Sequence, residues 1–296
     1  MSDRPYVHSA LPERPPLRWP GGAWLAVWVV PNIDYYPLDG GGPALRPASI
    51  GQVPDPYNVG WRDYGPRVGI WRLMEVFDRH GLRATAALNA DACEQYPEIV
   101  AAGVQRRWEF MGHARTSAQG LHGLEPDAER ELIADTLARI TRTTGQRPRG
   151  WLSPSLAETP HTLDLLAAAG IDYVCDWCAD DQPFALQVAR GQLHALPYTV
   201  ELNDIPAVLR FGHTAPQFAE AIRAQFDVLY AEGARSGRVL CVSVHPCISG
   251  QPLRAKYLAE ALAYIAGHPR VWLATGSEIL AAYLAQADEG HDWAAT

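Results

Sequence analysis

Residues 23–34 read AWLAVWVVPNID, and this stretch decides the fold. Its first eight residues are an unbroken apolar run, which is the pattern of a buried β-strand. The run then gives way to Asn32 and Asp34, and a long loop rich in glycine, proline and tyrosine follows. The stretch therefore predicts a buried strand whose carboxyl end presents polar side chains.

The same alternation of apolar strand and amphipathic helix continues along the chain. Helices are predicted over residues 68–80, 126–143 and 162–169, and over APQFAEAIRAQFDVLYAEG, LRAKYLAEALAYIAG and SEILAAYLAQA. Strands are predicted at ATAALNA, WEFMGH, RGWLS, IDYVCDW, LHALPY, RVLCVSVH and RVWLAT. This alternation predicts a parallel sheet, either a closed barrel or a doubly wound sheet. Both architectures gather ligands at the carboxyl ends of their strands.

The composition of the 296-residue chain is that of a globular protein, with 48% hydrophobic and 20% charged residues. A net charge of −8 without a cationic stripe argues against a nucleic-acid partner. No apolar run reaches the roughly 18 residues of a membrane helix, and the N-terminus carries no signal-like apolar region. Five irregularly spaced cysteines make a poor disulfide framework, which favours a cytoplasmic location.

No linker, charge block or internal repeat divides the chain. The predicted organisation is an extended N-terminal arm over 1–22, one barrel domain over 23–288 and a C-terminal tail over 289–296. The C-x-x-C at Cys175 and Cys178 is interpreted as ordinary, because no second such pair and no thioredoxin-like surroundings exist.

Polar side chains follow strand after strand, and three of them suggest chemistry. Asp34, His113 in WEFMGH and His245 in VLCVSVHP each end an apolar run. Each alone is more often structural, either a histidine satisfied by a carbonyl or a turn-forming aspartate. All three at strand ends of one sheet favour a shared site. A carboxylate and two imidazoles can deprotonate a water and protonate a departing amine, which is hydrolytic chemistry.

Two other chemistries are not supported. The chain has no Gly-x-Ser-x-Gly sequence, so it lacks the nucleophile elbow that presents a catalytic serine in α/β-hydrolases. The glycine run DGGGPA (39–44) does not lie between a strand and a helix, which a phosphate-binding loop requires.

Several segments together resemble the polysaccharide-deacetylase-like superfamily, in its cytoplasmic branch of metal-independent allantoinases and cyclic-imide hydrolases. They occur in the expected order from about Trp24 to Leu284: WRDYGPRVGIWR, WEFMGH, GWLSPSLAETPHTLDLLAAAGIDYVCDW, ADDQPF, LPYTVELND, FDVLYAEG and VSVHPCISGQPLR. The resemblance implies a distorted (β/α) barrel of about seven parallel strands.

The resemblance also implies roles for individual residues. Asp34 falls on the first acidic motif, where metal-using deacetylases have two adjacent aspartates and this chain has Tyr35 second. His113 falls on the first histidine of a His-x-x-x-His pair, with Ser117 at the second place. His245 falls on the late histidine that acts as general acid. The catalytic residues are thus predicted to be Asp34, His113 and His245, and the substrate-binding residues to be Trp151, Asp180, Asp181, Tyr198, Asn203 and Glu109.

Two of the three zinc ligands of the deacetylases are replaced in this pattern. One imidazole and one carboxylate are a thin shell for Zn²⁺, which usually takes three protein ligands in a catalytic site. No metal and no cofactor are therefore expected. Zn²⁺ or another divalent metal stays open as an alternative, because Glu109 or Asp181 could complete a rearranged shell.

The predicted function is hydrolysis of a non-peptide carbon–nitrogen bond, opening a small cyclic amide such as an imide or ureide. Asp34 would act as base or orient the water, His113 would hold the water or the oxyanion, and His245 would protonate the leaving nitrogen. The alternatives are a metal-dependent N-deacetylase of an acetylated sugar or amine, and a non-catalytic binding protein on the same barrel. By analogy with the family a homo-oligomer is expected, with the arm at 1–22 embracing a neighbour.

Overall fold

A curled β-sheet forms the centre of the computed structural model, which describes residues 4–288. Residues 1–3 and the tail predicted over 289–296 lie outside the described residues. The nine strands are β1 (Leu25–Ile33), β2 (Thr85–Leu88), β3 (Glu109–Gly112), β4 (Gly150–Trp151), β5 (Tyr173–Val174), β6 (Phe184–Leu186), β7 (Leu193–Ala195), β8 (Arg238–Val244) and β9 (Val271–Leu273).

Helices surround the sheet. They are α1 (Pro56–Tyr64), α2 (Ile70–Arg79), α3 (Ala92–Gln95), α4 (Pro97–Gln105), α5 (Pro126–Thr144), α6 (Thr162–Ala168), α7 (Ala215–Gly233), α8 (Pro252–Ala266) and α9 (Gly276–Asp288). The predicted helices over 68–80 and 126–143 correspond to α2 and α5. None of the helices formed by residues 4–288 has the length and apolar character needed to cross a bilayer.

The strand order is β6-β7-β5-β4-β3-β2-β1-β8, and β9 pairs with the first half of β1. All pairs are parallel except β6 with β7. The ends of the sheet approach each other through irregular segments: Val239 N–H donates to Asp181 O at 2.9 Å, and Ser243 N–H to Leu202 O at 3.0 Å. The predicted distorted barrel is therefore confirmed. The predicted strand RVWLAT corresponds to β9, whereas the antiparallel edge strand β6 was not predicted from the sequence.

The opening apolar run is explained by burial on both faces of β1. All nine residues of the strand are buried. Leu25, Val27 and Val29 pack outward into the largest apolar cluster with residues of α2, α7 and α8. Ala26 and Trp28 point into the barrel interior. Parallel strands covered on both faces read as continuous hydrophobic runs, so no polar alternation interrupts the sequence here.

The described part of the N-terminal arm, residues 4–22, packs on its own barrel. Tyr6 contacts Trp177 edge to face, with ring centroids 5.8 Å apart. Arg14 pairs with Asp180 at 2.6 Å, and Trp19 Nε1–H donates to Arg238 O at 2.8 Å. The arm was expected to embrace a neighbouring subunit. In this chain those contacts are made within one molecule.

Candidate active site

Three predicted catalytic side chains meet at the carboxyl edge of the sheet. Asp34, His113 and His245 are each the first residue after a strand, namely β1, β3 and β8. The strand order places β3, β2, β1 and β8 side by side, so their carboxyl ends share one rim of the barrel. The side chains of the three residues are 6 to 9% exposed. We call these three residues the rim cluster.

The Asp34 carboxylate faces one imidazole with each of its oxygens. Oδ1 lies 3.5 Å from His113 Nε2, and Oδ2 lies 3.8 Å from His245 Nε2. Tyr36 O–H donates to Oδ2 at 3.2 Å, and Ser117 O–H donates to Oδ1. Burial alone would raise the pKa of Asp34, but the hydrogen bond with His113 and the charges of both histidines lower that pKa to about 2. Asp34 is therefore an anion throughout the physiological range.

A backbone carbonyl fixes the orientation of the His113 ring. Its Nδ1 lies 2.6 Å from Leu152 O, the first carbonyl after β4. Because a carbonyl only accepts, Nδ1 carries a proton, and Nε2 is the ring nitrogen that faces Asp34. The next residue, Ala114, has a φ of 53°, a left-handed conformation that a side chain disfavours. The backbone thus turns sharply where the ring must point into the rim.

Asn89, the first residue after β2, ties the Asp34 and His113 segments together. Its Nδ2–H donates to His113 O, and its Oδ1 accepts Tyr35 N–H at 2.8 Å. Ser117 Oγ lies 2.9 Å from the same amide oxygen. This network fixes the separation between the carboxylate and the imidazole.

His245 is held by a buried carboxylate. Its Nδ1 lies 2.6 Å from Asp204 Oδ1, and Asp204 has no exposed surface. Asp204 Oδ2 accepts the His245 backbone N–H at 2.8 Å and Ser249 O–H at 2.6 Å. Burial would lower the pKa of His245, but the charge and hydrogen bond of Asp204 raise it above its ordinary value. Nδ1 of His245 therefore donates to Asp204, and Nε2 faces the rim cluster, 3.8 Å from Asp34 Oδ2.

The donors of the rim cluster do not fit a three-ligand zinc site. The residue four after His113 is Ser117, whose hydroxyl is engaged with Asp34 and Asn89. The charge of Asp204 raises the pKa of His245, which disfavours the neutral ring that a metal requires. Within residues 4–288, no group of three or more histidine, cysteine or carboxylate side chains is arranged to hold a metal ion.

Two predicted substrate-binding residues lie elsewhere. Trp151 has no exposed surface and packs among Ile133 and Leu137 of α5, so it is a core residue and not a substrate contact. Glu109 is the first residue of β3, about 13 Å along the strand from His113. Its carboxylate accepts hydrogen bonds from Tyr173 and Ser277 at the opposite end of the barrel. It cannot complete a metal shell at the rim.

Asp180, Asp181 and Tyr198 line a separate cavity of about 480 Å³, together with Arg14, Cys178 and Cys241. Cys241 precedes His245 by four residues on β8, so the cavity lies about 13 Å below the rim. Asn203 donates to Tyr198 Oη at 3.2 Å and adjoins Asp204. The structure therefore does not bring Asp180 or Asp181 to the rim cluster, and Asp181 is too distant to be a metal ligand there. The hydroxyl of Tyr198 lies nearer, 2.5 Å from Oγ of Ser243, which precedes His245 by two residues on β8.

Sequence reasoning missed four residues that position the cluster: Asn89, Ser117, Leu152 and Asp204. Asn89 and Asp204 were both visible as polar residues after apolar strands, yet nothing in the sequence pairs Asp204 with His245 forty-one positions later. Leu152 acts through its carbonyl, which carries no signal in the side-chain pattern.

Comparison with known proteins finds similarity to polysaccharide deacetylases. The polysaccharide deacetylase family matches residues 62–174. A curated Schizosaccharomyces pombe protein named as a polysaccharide deacetylase is 26% identical to this chain over 242 residues. The match covers 76% of this chain and 75% of that protein. The resemblance drawn from the sequence motifs is confirmed by these matches.

Two crystal structures share the fold over nearly their whole length. PuuE allantoinase superposes with a TM-score of 0.84 and 26% identity, covering 96% of this chain and 98% of that chain. The probable polysaccharide deacetylase of Pseudomonas aeruginosa PAO1 superposes with a TM-score of 0.83 and 27% identity, covering 92% and 95%. The similarity therefore includes all the strands that carry the rim cluster.

Proposed function

Because the chain contains a polysaccharide deacetylase domain, we propose that it is a hydrolase of non-peptide carbon–nitrogen bonds that opens a small cyclic amide, either an imide or a ureide. One observation carries the proposal: a buried carboxylate, Asp34, lies between two imidazoles that are each anchored through Nδ1. The similarity to PuuE allantoinase supports a ring-opening reaction over other hydrolyses.

The water is activated between His113 and Asp34. His113 Nε2 and Asp34 Oδ1 are both acceptors, and their 3.5 Å separation suits one water that donates a hydrogen bond to each. A carboxylate with a pKa of about 2 is a weak base, so Asp34 orients the water and His113 Nε2 takes its proton. The resulting imidazolium is stabilised by the Asp34 charge. The water oxygen adds to the ring carbonyl carbon.

His245 completes the reaction as the acid. The tetrahedral adduct breaks its carbon–nitrogen bond, and His245 Nε2–H gives its proton to the departing nitrogen. Asp204 keeps His245 protonated beforehand and in the correct orientation. The ring opens to a product that carries a new carboxyl group and a free amide or urea nitrogen. Asp34, which faces both imidazoles, is placed to return the proton from His113 to His245 for the next cycle.

A cyclic imide suits these residues. Its carbonyl is more electron-poor than that of an acetamide, because two acyl groups share one nitrogen, and it needs less electrophilic activation. The rim cluster offers two imidazoles and one carboxylate, but within residues 4–288 these side chains are not arranged as a group that could hold a metal ion. The substrate class therefore agrees with the side chains present.

A second candidate is an N-deacetylase of an acetylated sugar or amine, favoured by the similarity to the Pseudomonas protein. It requires activation of a less reactive carbonyl, which the residues of the rim cluster do not provide by themselves. The cytoplasmic location and the homo-oligomeric state stay predictions.

The experiment that tests the function is a substrate panel of succinimide, hydantoin, allantoin and N-acetylglucosamine, with products separated by chromatography. We expect ring opening of at least one cyclic amide and no release of acetate. His245→Ala should abolish turnover, whereas His268→Ala, a substitution of a histidine two residues after the end of α8, should not. Release of acetate without ring opening would replace the proposal by the second candidate.

A further inference from the structure

Beside the rim cluster, two carboxyl groups face each other without a cation. Asp176 lies two residues after β5, and its Oδ1 accepts Ser153 N–H at 2.8 Å. Glu158 accepts the indole N–H of Trp177 on its two oxygens, at 3.1 and 3.2 Å. None of the ion pairs formed among residues 4–288 involves either carboxyl group.

One carboxylate oxygen of this pair accepts no hydrogen bond. Asp176 Oδ2 is fully buried and has no donor. Buried acceptors without a donor are rare and costly. Two contacting carboxylates without a cation also repel each other, and one of them takes up a proton instead. Burial and the charge of Asp176 accordingly raise the pKa of Glu158 to about 9. A carboxyl proton on Glu158 supplies the donor that Asp176 Oδ2 lacks.

The pair belongs to the same rim as the catalytic residues. Leu152 O accepts the His113 Nδ1 proton, and the next residue, Ser153, donates to Asp176. The charge of His113 acts on Asp176 directly and lowers its pKa, although burial has the larger, opposite effect. Trp177 is fixed by its contact with Tyr6. Glu158 itself is only partly buried, so its outer side is open to a ligand.

Resting on the proposed ring-opening function, we propose that Glu158 is a specificity-determining residue that works as a neutral carboxyl: its O–H donates to Asp176 Oδ2, and its carbonyl oxygen accepts the N–H of the ring amide. The shared proton leaves the pair with one negative charge instead of two. The indole N–H of Trp177 holds the carboxyl in plane. A ring that carries N–H is recognised, and one whose nitrogen is methylated is not.

The substitution Glu158→Gln reproduces the proposed state, because its amide NH₂ donates to Asp176 and its carbonyl accepts. Glu158→Leu removes both interactions at similar volume. We expect the KM for succinimide to rise roughly tenfold in E158L, with a smaller change in kcat, and to stay within about twofold in E158Q. N-methylsuccinimide should bind the wild-type protein about as weakly as succinimide binds E158L.

Calorimetric titration of succinimide and N-methylsuccinimide accompanies the kinetics, so that binding is measured even if no ring is opened. Tighter binding of succinimide that is lost in E158L and kept in E158Q supports the inference whether or not turnover is seen, while absence of turnover alone counts against the proposed function. Equal binding of the two imides by the wild-type protein, or equal losses in E158Q and E158L, would overturn the inference. Thermal melting of both variants controls for folding.

Discussion

His245 Nδ1 lies 2.6 Å from Asp204 Oδ1, and the Asp204 carboxylate has no exposed surface. The carboxylate also accepts the backbone N–H of His245, so one buried anion fixes both the ring and its strand end. The charge of Asp204 raises the pKa of the imidazole and so favours its cationic form next to Asp34. An acid of this kind can protonate a leaving nitrogen at a pH where a free histidine is largely neutral.

Replacing Asp204 should therefore move the pH profile. Asp204→Asn removes the charge that raises the pKa of His245, so the alkaline limb of kcat/KM should shift to lower pH. We expect kcat to fall by roughly 10²- to 10⁴-fold, because the neutral ring is a poor acid. Steady-state kinetics from pH 5 to 10 measure both effects. Ser249→Ala, which removes a single hydrogen bond to Asp204, is the control and should leave the limb nearly in place.

The low pKa of Asp34 should also make the free energy of unfolding depend on pH. Its pKa is about 2 in the folded protein and 3.8 in the unfolded reference, so its stabilisation is present above pH 4 and is lost as the pH falls through 2. The difference corresponds to about 2 kcal/mol. Urea unfolding at pH 5 and pH 2.5 should show a steeper loss for the wild-type protein than for Asp34→Asn. Parallel losses in the two proteins would show that Asp34 is not perturbed.

Ser117 occupies the place of the second imidazole in the His-x-x-x-His pattern. Ser117→His should add a ligand next to His113 and Asp34 and raise the affinity for Zn²⁺ by roughly tenfold or more. Titration with Zn²⁺ against a competing chelator measures this affinity, and Ser117→Ala controls for loss of the hydroxyl. Equal Zn²⁺ affinity of wild-type, S117A and S117H would contradict the account of the site.

Gly112, the residue before His113, has no side chain and so lets the ring of Trp151 pack directly against the backbone of β3. A Cβ at this position would lie 2.5 Å from the ring of Trp151, which is fully buried and cannot move away. Gly112→Ala should lower the free energy of unfolding by about 1–3 kcal/mol. Gly60→Ala in α1 is the matched control, because a Cβ at Gly60 meets no atom within 4 Å. It should be neutral or slightly stabilising.

The sequence predicted those features of the site that depend on the residues of a single strand and its carboxyl end. The apolar run at 23–30 and the abrupt polar residues after it predict both the buried β1 and the position of Asp34. The same pattern located His113 and His245. Because parallel strands align their carboxyl ends, three such residues at strand ends of one sheet favoured a shared site.

Other features depend on contacts that no local pattern encodes. Asp204 contacts His245 only because the segment after β7 crosses to β8. Glu158 and Asp176 are paired by a turn whose residues Ser155 and Leu156 have left-handed backbone angles. Trp151 resembled a substrate contact by its position, but it faces α5 because side chains alternate between the two faces of the sheet.

The most direct test of the central claim is hydrolysis of the cyclic amide panel after exhaustive chelation, with residual metal measured by atomic spectroscopy. If His113, Asp34 and His245 carry the reaction, ring opening should persist in the chelated wild-type protein and fall by at least about 100-fold in His245→Ala. Activity that disappears on chelation and returns when Zn²⁺ is added would contradict it.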